Sequence, residues 1–519
     1  MVKIRVNSFF NRNRKKKQEK EANNITQLVK NLDANLQNTK NLLDEPADLA
    51  IRKFTVRGSE HQCATVYIDG LVDGLYVRNN IIENIQLETE GKQIPDNKQK
   101  LFDELNQEIL STTSLQIGYT LDDVSNGILS GSTVLYLDGI DKVFIIKTQG
   151  WDKRDIQEPV TEALIRGPRD GFVEDLRTNM ALMRRYIQDP NLRFKTYQIG
   201  RRSKKNLVVT YIADVIHPDI LKEIKRRLDS IDTDDAPESG FIEQWIEDNY
   251  LSPFPQLMNT ERPDKASAAL LQGKAVIMLD GSPFVLIAPT TLGGAMQSPE
   301  DYYERWTIGT LLRILRYIAA FIAIFLPSLY IALVSFHPGM IPTNLAFSIA
   351  ASREGVPFTP LIEAVLMAIT MELLREAGVR LPKTIGQTIG IVGGLVIGDA
   401  AVQAGIVSPI MVIVVALNAI ASFALPAYSI AIAFRIILFG FIFLAGTFGL
   451  YGIIIGYIMV NIHIVNLKSI GVPYSTPFAP TFFKDWEDLI FRKPIPLLTT
   501  RPEYMQTNDK QSTDKENRS

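Results

Sequence analysis

The sequence predicts a multi-domain chain: a two-lobed α/β cytoplasmic N-terminal region followed by an α-helical transmembrane domain. Two observations carry this. First, the charges are unevenly placed. Residues 311–468 hold eight basic and five acidic side chains in 158 positions, far below the ~25% usual for soluble domains. The remaining 99 charged residues occupy 361 positions, a normal soluble share. Second, the polar half repeats itself. Gly131-Ser-Thr-Val-Leu-Tyr-Leu-Asp-Gly139 runs on into Val143, Ile145 and Thr148, and Gly273-Lys-Ala-Val-Ile-Met-Leu-Asp-Gly281 into Val285, Ile287 and Thr290, at a constant offset of 142 residues.

In chain order, residues 1–24 form a basic tail, with Arg12, Arg14, Lys15, Lys16, Lys17 and Lys20 relieved only by Glu19. It reads as a solvated, disordered segment, or one drawn to anionic lipid on the cytoplasmic leaflet. Ile25, Leu28, Leu32, Leu36 and Leu43 recur at helical spacing and open a first lobe over 25–195. Each long repeat reads as two apolar strands around an Asp-Gly turn, which suits the positive-φ positions of a tight hairpin. Val66-Tyr-Ile-Asp-Gly70 is a weaker third copy. Phe172, Leu176, Met180, Met183 and Ile187 share one helical face. The second lobe covers 196–300. In it, His217-Pro-Asp219 starts a helix and Thr260-Glu-Arg-Pro-Asp264 precedes another.

The transmembrane domain spans 301–468. A first span over Tyr317–Phe336 contains Pro327, a source of a kink. The Pro-rich stretch to Pro360 is a loop or re-entrant piece. Helices follow at Thr359–Ala377, Thr384–Ala404 and Ser408–Leu425. The uncharged run Ile436–Leu467 is one long helix or a hairpin turning near Gly446–Gly449. Positive residues flank both ends, so both face the cytoplasm and the crossings number four or six. Residues 469–498 form a cytoplasmic amphipathic segment, with Phe482, Phe483, Trp486, Leu489 and Ile490 suited to the headgroup layer. Residues 499–519 read as a disordered tail.

Several function classes are excluded. One cysteine, Cys63, rules out a disulfide framework or a Cys-based zinc site. A net charge of -2 gives no support to nucleic-acid binding. His61, His217, His337 and His463 show no ligand spacing, and there is no Walker A loop, dinucleotide-binding fingerprint or H-E-x-x-H. The chain therefore reads as no enzyme, with no catalytic, cofactor or metal residues. Ionisable residues inside spans are costly and default to function. They are Glu363, Glu372, Asp399 and Arg435. Glu363 and Glu372 lie on opposite helix faces, and Glu372 can pair with Arg375 at i+3. Glu363 shares its face with Met367, Thr370 and Leu374, the pore or gate candidates. Arg435 needs a carboxylate, with Asp399 and Glu363 available. A structural pair and an ion path stand equally open for these three. Gly386, Gly390, Gly394 and Gly398 form a stripe for close helix packing, within or between subunits.

Longer motifs identify a family. Pro342-Thr-Asn-Leu, Arg353-Glu-Gly-Val-Pro357, Glu372-Leu-Leu-Arg-Glu-Ala-Gly-Val-Arg-Leu-Pro382, Ile385-Gly-Gln-Thr-Ile-Gly-Ile-Val-Gly-Gly394 and Ala404-Gly-Ile-Val-Ser-Pro409 resemble the A subunit of the GerA-type spore germination receptors. Glu162-Ala-Leu-Ile-Arg-Gly-Pro-Arg-Asp-Gly-Phe-Val-Glu174, Ser252-Pro-Phe-Pro-Gln256, Thr260-Glu-Arg-Pro263 and Glu300-Asp-Tyr-Tyr303 look like the same family. The resemblance covers roughly 51–496. It implies a multi-pass protein of the spore inner membrane that senses nutrients with a permease-like B subunit and a lipoprotein C subunit. It also implies a homo-oligomeric ring enclosing a monovalent cation channel. On that reading, Glu363 borders the path and Met367 and Leu374 supply a dewetted gate. Three alternatives stand beside it: an accessory channel subunit like stage V sporulation protein AF, a secondary transporter, or a membrane scaffold. Copurifying partners, saturable coupled flux and single-channel conductance distinguish them.

Overall fold

The computed structural model describes residues 27–88, 95, 97–106, 115–150, 158–159, 161–162, 164–380 and 396–513. The basic tail and Gly386, Gly390 and Gly394 lie outside the described residues.

The short sequence repeat is the visible part of a duplicated lobe. The first lobe holds α1 (Leu32–Leu43), β1 (Leu49–Thr55), β2 (Gln62–Ile68), β3 (Leu115–Gly118), α2 (Leu121–Leu129), β4 (Ser132–Leu137) and β5 (Val143–Lys147). The second holds α3 (Leu176–Tyr186), β6 (Leu192–Ile199), β7 (Lys205–Ile212), α4 (Pro218–Leu228), β8 (Met258–Thr260), α5 (Pro263–Leu271), β9 (Ala275–Leu279) and β10 (Val285–Ala288). Strand order is β1-β2-β4-β5-β3 in one sheet and β6-β7-β9-β10-β8 in the other, with every pairing antiparallel. Each sheet is therefore the same permutation of the same pattern. A boundary at 195/196 falls inside β6. The second copy begins earlier, at α3, the counterpart of α1.

The Asp-Gly turns do more than reverse the chain. Gly139 and Gly281 sit at φ +86° and +87°, where a side chain is strained. In each copy the aspartate also reaches the start of the lobe's first helix. Asp138 Oδ1 accepts from Leu32 N at 3.3 Å, and Asp280 Oδ1 accepts from Leu176 N at 3.4 Å. Gly139 N donates to Lys30 O and Gly281 N to Glu174 O. A buried asparagine repeats too: Asn35 brackets the backbone of Val29, and Asn179 that of Val173. The aspartates serve helix-start N–H groups that no intrahelical carbonyl can reach, and the other bonds hold the chain leading into each helix.

Both faces of each sheet are covered, so the central strands β4 and β9 are buried at every position. In the first lobe, α1 and α2 pack Leu36, Val124 and Ile128 on one face, while Ile81, Phe102 and Phe144 lie on the other. In the second, α4 packs Ile220 and Ile224 on one face. Its other face joins Met180, Phe194 and Ile287 to Ile430, Phe434 and Leu467 of the apolar half in one core. The lobes meet through Arg184, fully buried, which donates to Asp48 at 3.0 and 3.3 Å and to Leu192 O, over the ring of Phe194.

The apolar half comprises α6 (Trp306–Phe336), α7 (Thr343–Arg353), α8 (Pro360–Arg380), α9 (Pro409–Phe423), α10 (Tyr428–Phe448) and α11 (Leu450–Asn466), with helical backbone also at 396–403. Among the described residues, α6 and α10 are long and apolar enough to cross a membrane, and α9 and α11 are shorter apolar helices. Helix α6 contains Pro327 within its length. The Pro-rich stretch after it forms the short α7. The last apolar run is a hairpin: Gly449 turns it at φ +60°, packed against Phe336 and His337. Leu361 at the start of α8 touches Gly446 at the end of α10, so these junctions share the end remote from the lobes.

The segment after α11 differs from the expected amphipathic helix. It forms 3₁₀ turns at Phe483–Asp488 and Ile495–Leu497, among Pro473, Pro477, Pro480 and Pro494, which cannot donate to helical bonds. Leu489 turns inward, while Phe483 and Trp486 stay exposed. The expected disordered tail is ordered through residue 513: Asn508 N donates to Val215 O and Arg501 N to Lys510 O.

Candidate functional site

Burying a charge in an apolar bundle demands a partner, and each ionisable residue of the helical half can be judged by the partner it has. Glu363, on the first turn of α8, is fully buried. Its Oε2 accepts from Ser408 N at 2.9 Å, at the start of α9. Its Oε1 lies 2.9 Å from Arg353 Nη1, an ion pair off the line of a hydrogen bond. The arginine reaches it from the end of α7. Glu363 is thus a helix-start acceptor and one half of a buried pair. Met367, one turn on, is buried in the same core, and Thr370 returns its hydroxyl to Leu366 O. Leu374 is half-buried. In the single chain Glu363 and Met367 are buried, Met367 in a core shared with α9, while Thr370 and Leu374 stay half-buried.

Arg435 pairs with neither Asp399 nor Glu363. Glu372 places Oε2 2.8 Å from Arg435 Nη1 and Oε1 2.8 Å from Arg375 Nη1. The expected Glu372–Arg375 pair is present, and Arg435 from α10 completes a triad across two helices. Asp399 differs from the rest. It is exposed, and its described partner is Gln403, one turn on, whose Nε2 donates at 2.6 Å. Gly398 beside it is buried, and a Cβ there would lie 3.5 Å from Val412, an ordinary contact.

A further charged centre lies where α6 leaves the second lobe. Asp301 is fully buried and accepts from Arg313 Nε at 3.0 Å and from both terminal nitrogens of Arg316, at 2.7 and 2.6 Å. Arg313 also reaches Asp488 Oδ1 at 2.9 Å. Tyr302 donates to Asp488 Oδ2 at 2.6 Å, and burial together with Asp488 raises its hydroxyl above the ordinary tyrosine range. This centre ties lobe, helix and C-terminal segment together. Its signal in the sequence is an arginine pair one turn apart near the start of an apolar helix, which must find carboxylates nearby.

The other end of the helical half returns to the same lobe. Ser469 donates to Gln256 O and accepts from Thr290 N, and His463 Nε2 lies 2.8 Å from Ser252 Oγ. Among the described residues no cluster of three or more His, Cys, Asp or Glu is placed to hold a metal. Burial pushes the Cys63 thiol up to about 12, where it is not a nucleophile.

Residues 37–504 match the model of the Bacillus/Clostridium GerA spore germination protein family. The chain is 51% identical over 485 residues to spore germination protein GerLA of Bacillus cereus, covering 93% of this chain and 98% of that protein. It is 42% identical over 485 residues to spore germination protein KA of Bacillus subtilis, covering 93% and 88%. A crystal structure of the N-terminal domain of the A subunit of the Bacillus megaterium spore germinant receptor GerK3 aligns at 30% identity, covering 51% of this chain and 96% of that one, with a TM-score of 0.42.

Proposed function

The chain belongs to the GerA family of spore germination proteins, and from that premise we propose that it is the A subunit of a nutrient-gated receptor forming an oligomeric monovalent cation channel. It works with a permease-like B subunit and a lipoprotein C subunit in the spore inner membrane, both of its ends on the core side. The described helices α6, α8, α9, α10 and α11, together with the helix expected over 384–404, of which 396–403 is described, make six crossings. The observation that carries the channel reading is Asp399. A carboxylate in an apolar helical half is costly unless it meets water or an opposite charge, and in the single chain this one is exposed with Gln403 beside it. A ring of such carboxylates around an aqueous path is a common cation filter. Nutrient binding at the B subunit opens the path by favouring the open state over the closed one.

The reading separates two acidic residues experimentally. In liposomes containing the assembled receptor, Asp399→Asn lowers cation over anion permeability with the protein intact. Glu363→Gln instead weakens the fold, because Arg353 loses its counter-charge. Unchanged selectivity in Asp399→Asn, with the complex assembled, refutes Asp399 as a pore residue.

A further inference from the structure

Where the second lobe meets α8, α9 and α10 there is a cavity of about 500 Å³. Its apolar wall includes Phe284, Leu425, Ala427 and Ala431, and its charged wall is Arg375 and Arg435. Both guanidiniums are largely buried, at 13% exposure, and both share the one carboxylate of Glu372. Arg375 stacks on Phe423, its guanidinium carbon 5.3 Å from the ring centre, and Arg435 on Tyr428 at 5.7 Å. The rings fix the two planar forks, while Phe423 and Tyr428 themselves remain 72% and 63% exposed.

The charges around the cavity do not cancel. From the lobe, Lys265 and Glu162 neutralise each other at 2.6 Å, and Glu162 also accepts from Thr260 and Glu261 N. On the helical side two cations face one anion. Arg435 spends Nε on Ala431 O and Nη1 on Glu372, and Arg375 spends Nη1 on Glu372 and Nη2 on Ser422 at 3.4 Å. An arginine carries five N–H donors, so each fork keeps donors for a further acceptor. The start of α10, at the cavity edge, has no side-chain cap, which adds to the positive potential there.

We propose that this cavity binds a phosphate group carried on an apolar body, namely the headgroup of an anionic phospholipid in the leaflet next to the lobes. Three features select that chemistry. The surplus charge is positive, and guanidinium forks match phosphate oxygens in pairs. The volume far exceeds a bare phosphate, and the rest of the wall is apolar. The site sits at the lobe end of α10, where exposed aromatic rings mark the level of lipid headgroups. Basic pockets between membrane helices on this side are a known mode of headgroup binding. A bound phosphate would bridge α8 to α10 under the second lobe and relieve the unmatched cation.

The test uses the full-length protein in nanodiscs of mixed phosphatidylglycerol and phosphatidylcholine, with retained lipid read by native mass spectrometry. Phosphatidylglycerol should be retained over phosphatidylcholine. Arg375→Gln and Arg435→Gln should each lower that retention about fivefold or more, the factor one basic side chain gives at an anionic surface. Glu372→Gln should raise it, because both forks are then released to the ligand; a merely structural triad would move the other way. Inorganic phosphate at millimolar concentration should leave the lipid in place. Equal retention of the two lipids, or lower retention in Glu372→Gln, overturns the proposal. Full displacement by inorganic phosphate overturns the lipid as its source.

Discussion

Replacing Arg184 with alanine should loosen the joint between the lobes by a predictable amount. Arg184 is 0% and Asp48 4% exposed at the side chain, and they meet at 3.0 and 3.3 Å. Arg184→Ala deletes the cation and leaves the carboxylate buried without its counter-charge. Breaking a buried pair from one side costs about 3–5 kcal/mol. The lost stacking on Phe194, whose ring centre is 4.6 Å away, adds about 1 kcal/mol. The loss falls on the lobe contact, so it appears as local opening. Amide exchange of β1 and α3 in the full-length protein should speed by about three to four orders of magnitude, at tenfold per 1.4 kcal/mol. Asp48→Leu combined with Arg184→Met should recover most of this, because an apolar pair leaves no uncompensated charge. Less than a tenfold change in Arg184→Ala, or a double variant as loose as the single one, would refute the reasoning.

Three further outcomes follow from the geometry. Asp280→Ala removes an acceptor at the start of α3 and should lower stability by about 1 kcal/mol, as cap losses do, read by thermal unfolding of the full-length protein. Gly452→Ala places a Cβ 2.0 Å from Leu444 O, so α10 and α11 must part and monodisperse protein in detergent should be lost; Gly440→Ala, with open space around it, should be tolerated. Glu243, in the helix Ser239–Ile246, is raised from 4.5 to about 7 by burial and by Glu247 and Glu238. The unfolded chain releases this proton first, so stability should fall as pH rises from about 4.5 through about 7 and then level off. Glu243→Gln should flatten that part of the melting profile.

The duplicated lobe was legible in part. The 142-residue offset exposed the hairpins β4–β5 and β9–β10, because both are apolar around an Asp-Gly turn. It missed that α3 opens the second copy, since α1 and α3 share a buried asparagine rather than a run of residues. The equivalence of Asn35 and Asn179 was the available signal. Charge partners were less legible. Glu363 meets Arg353 across a helix break, and Arg435 meets Glu372 from another helix. Periodicity reports which residues share a face, but not which helix covers it. For that reason a structural pair and a path stay equally open for Glu363 in the sequence; in the single chain Glu363 and Met367 are buried, whereas Asp399, from the same short list, is exposed.

The rigid contacts between lobes and helices fix which helices must move together. The second lobe is held to the start of α6 by Asp301 with Arg313 and Arg316, and to the chain beyond α11 by Ser469. Its core runs without a break into Ile430 and Phe434 of α10. Close-packed interiors transmit strain, so a displacement of this lobe must carry α6, α10 and α11 with it. The first lobe has no residue of the helical half in its cores among the described residues and meets the second lobe at Arg184. Helix α8 is held differently, by the buried Glu363–Arg353 pair at its remote end and by the Glu372 triad toward the lobes. A rotation of α10 with the second lobe therefore pulls on α8 through Arg435, and α8 precedes the segment that carries Asp399. On the channel proposed above, the triad would be the contact that links the second lobe to the helix preceding Asp399.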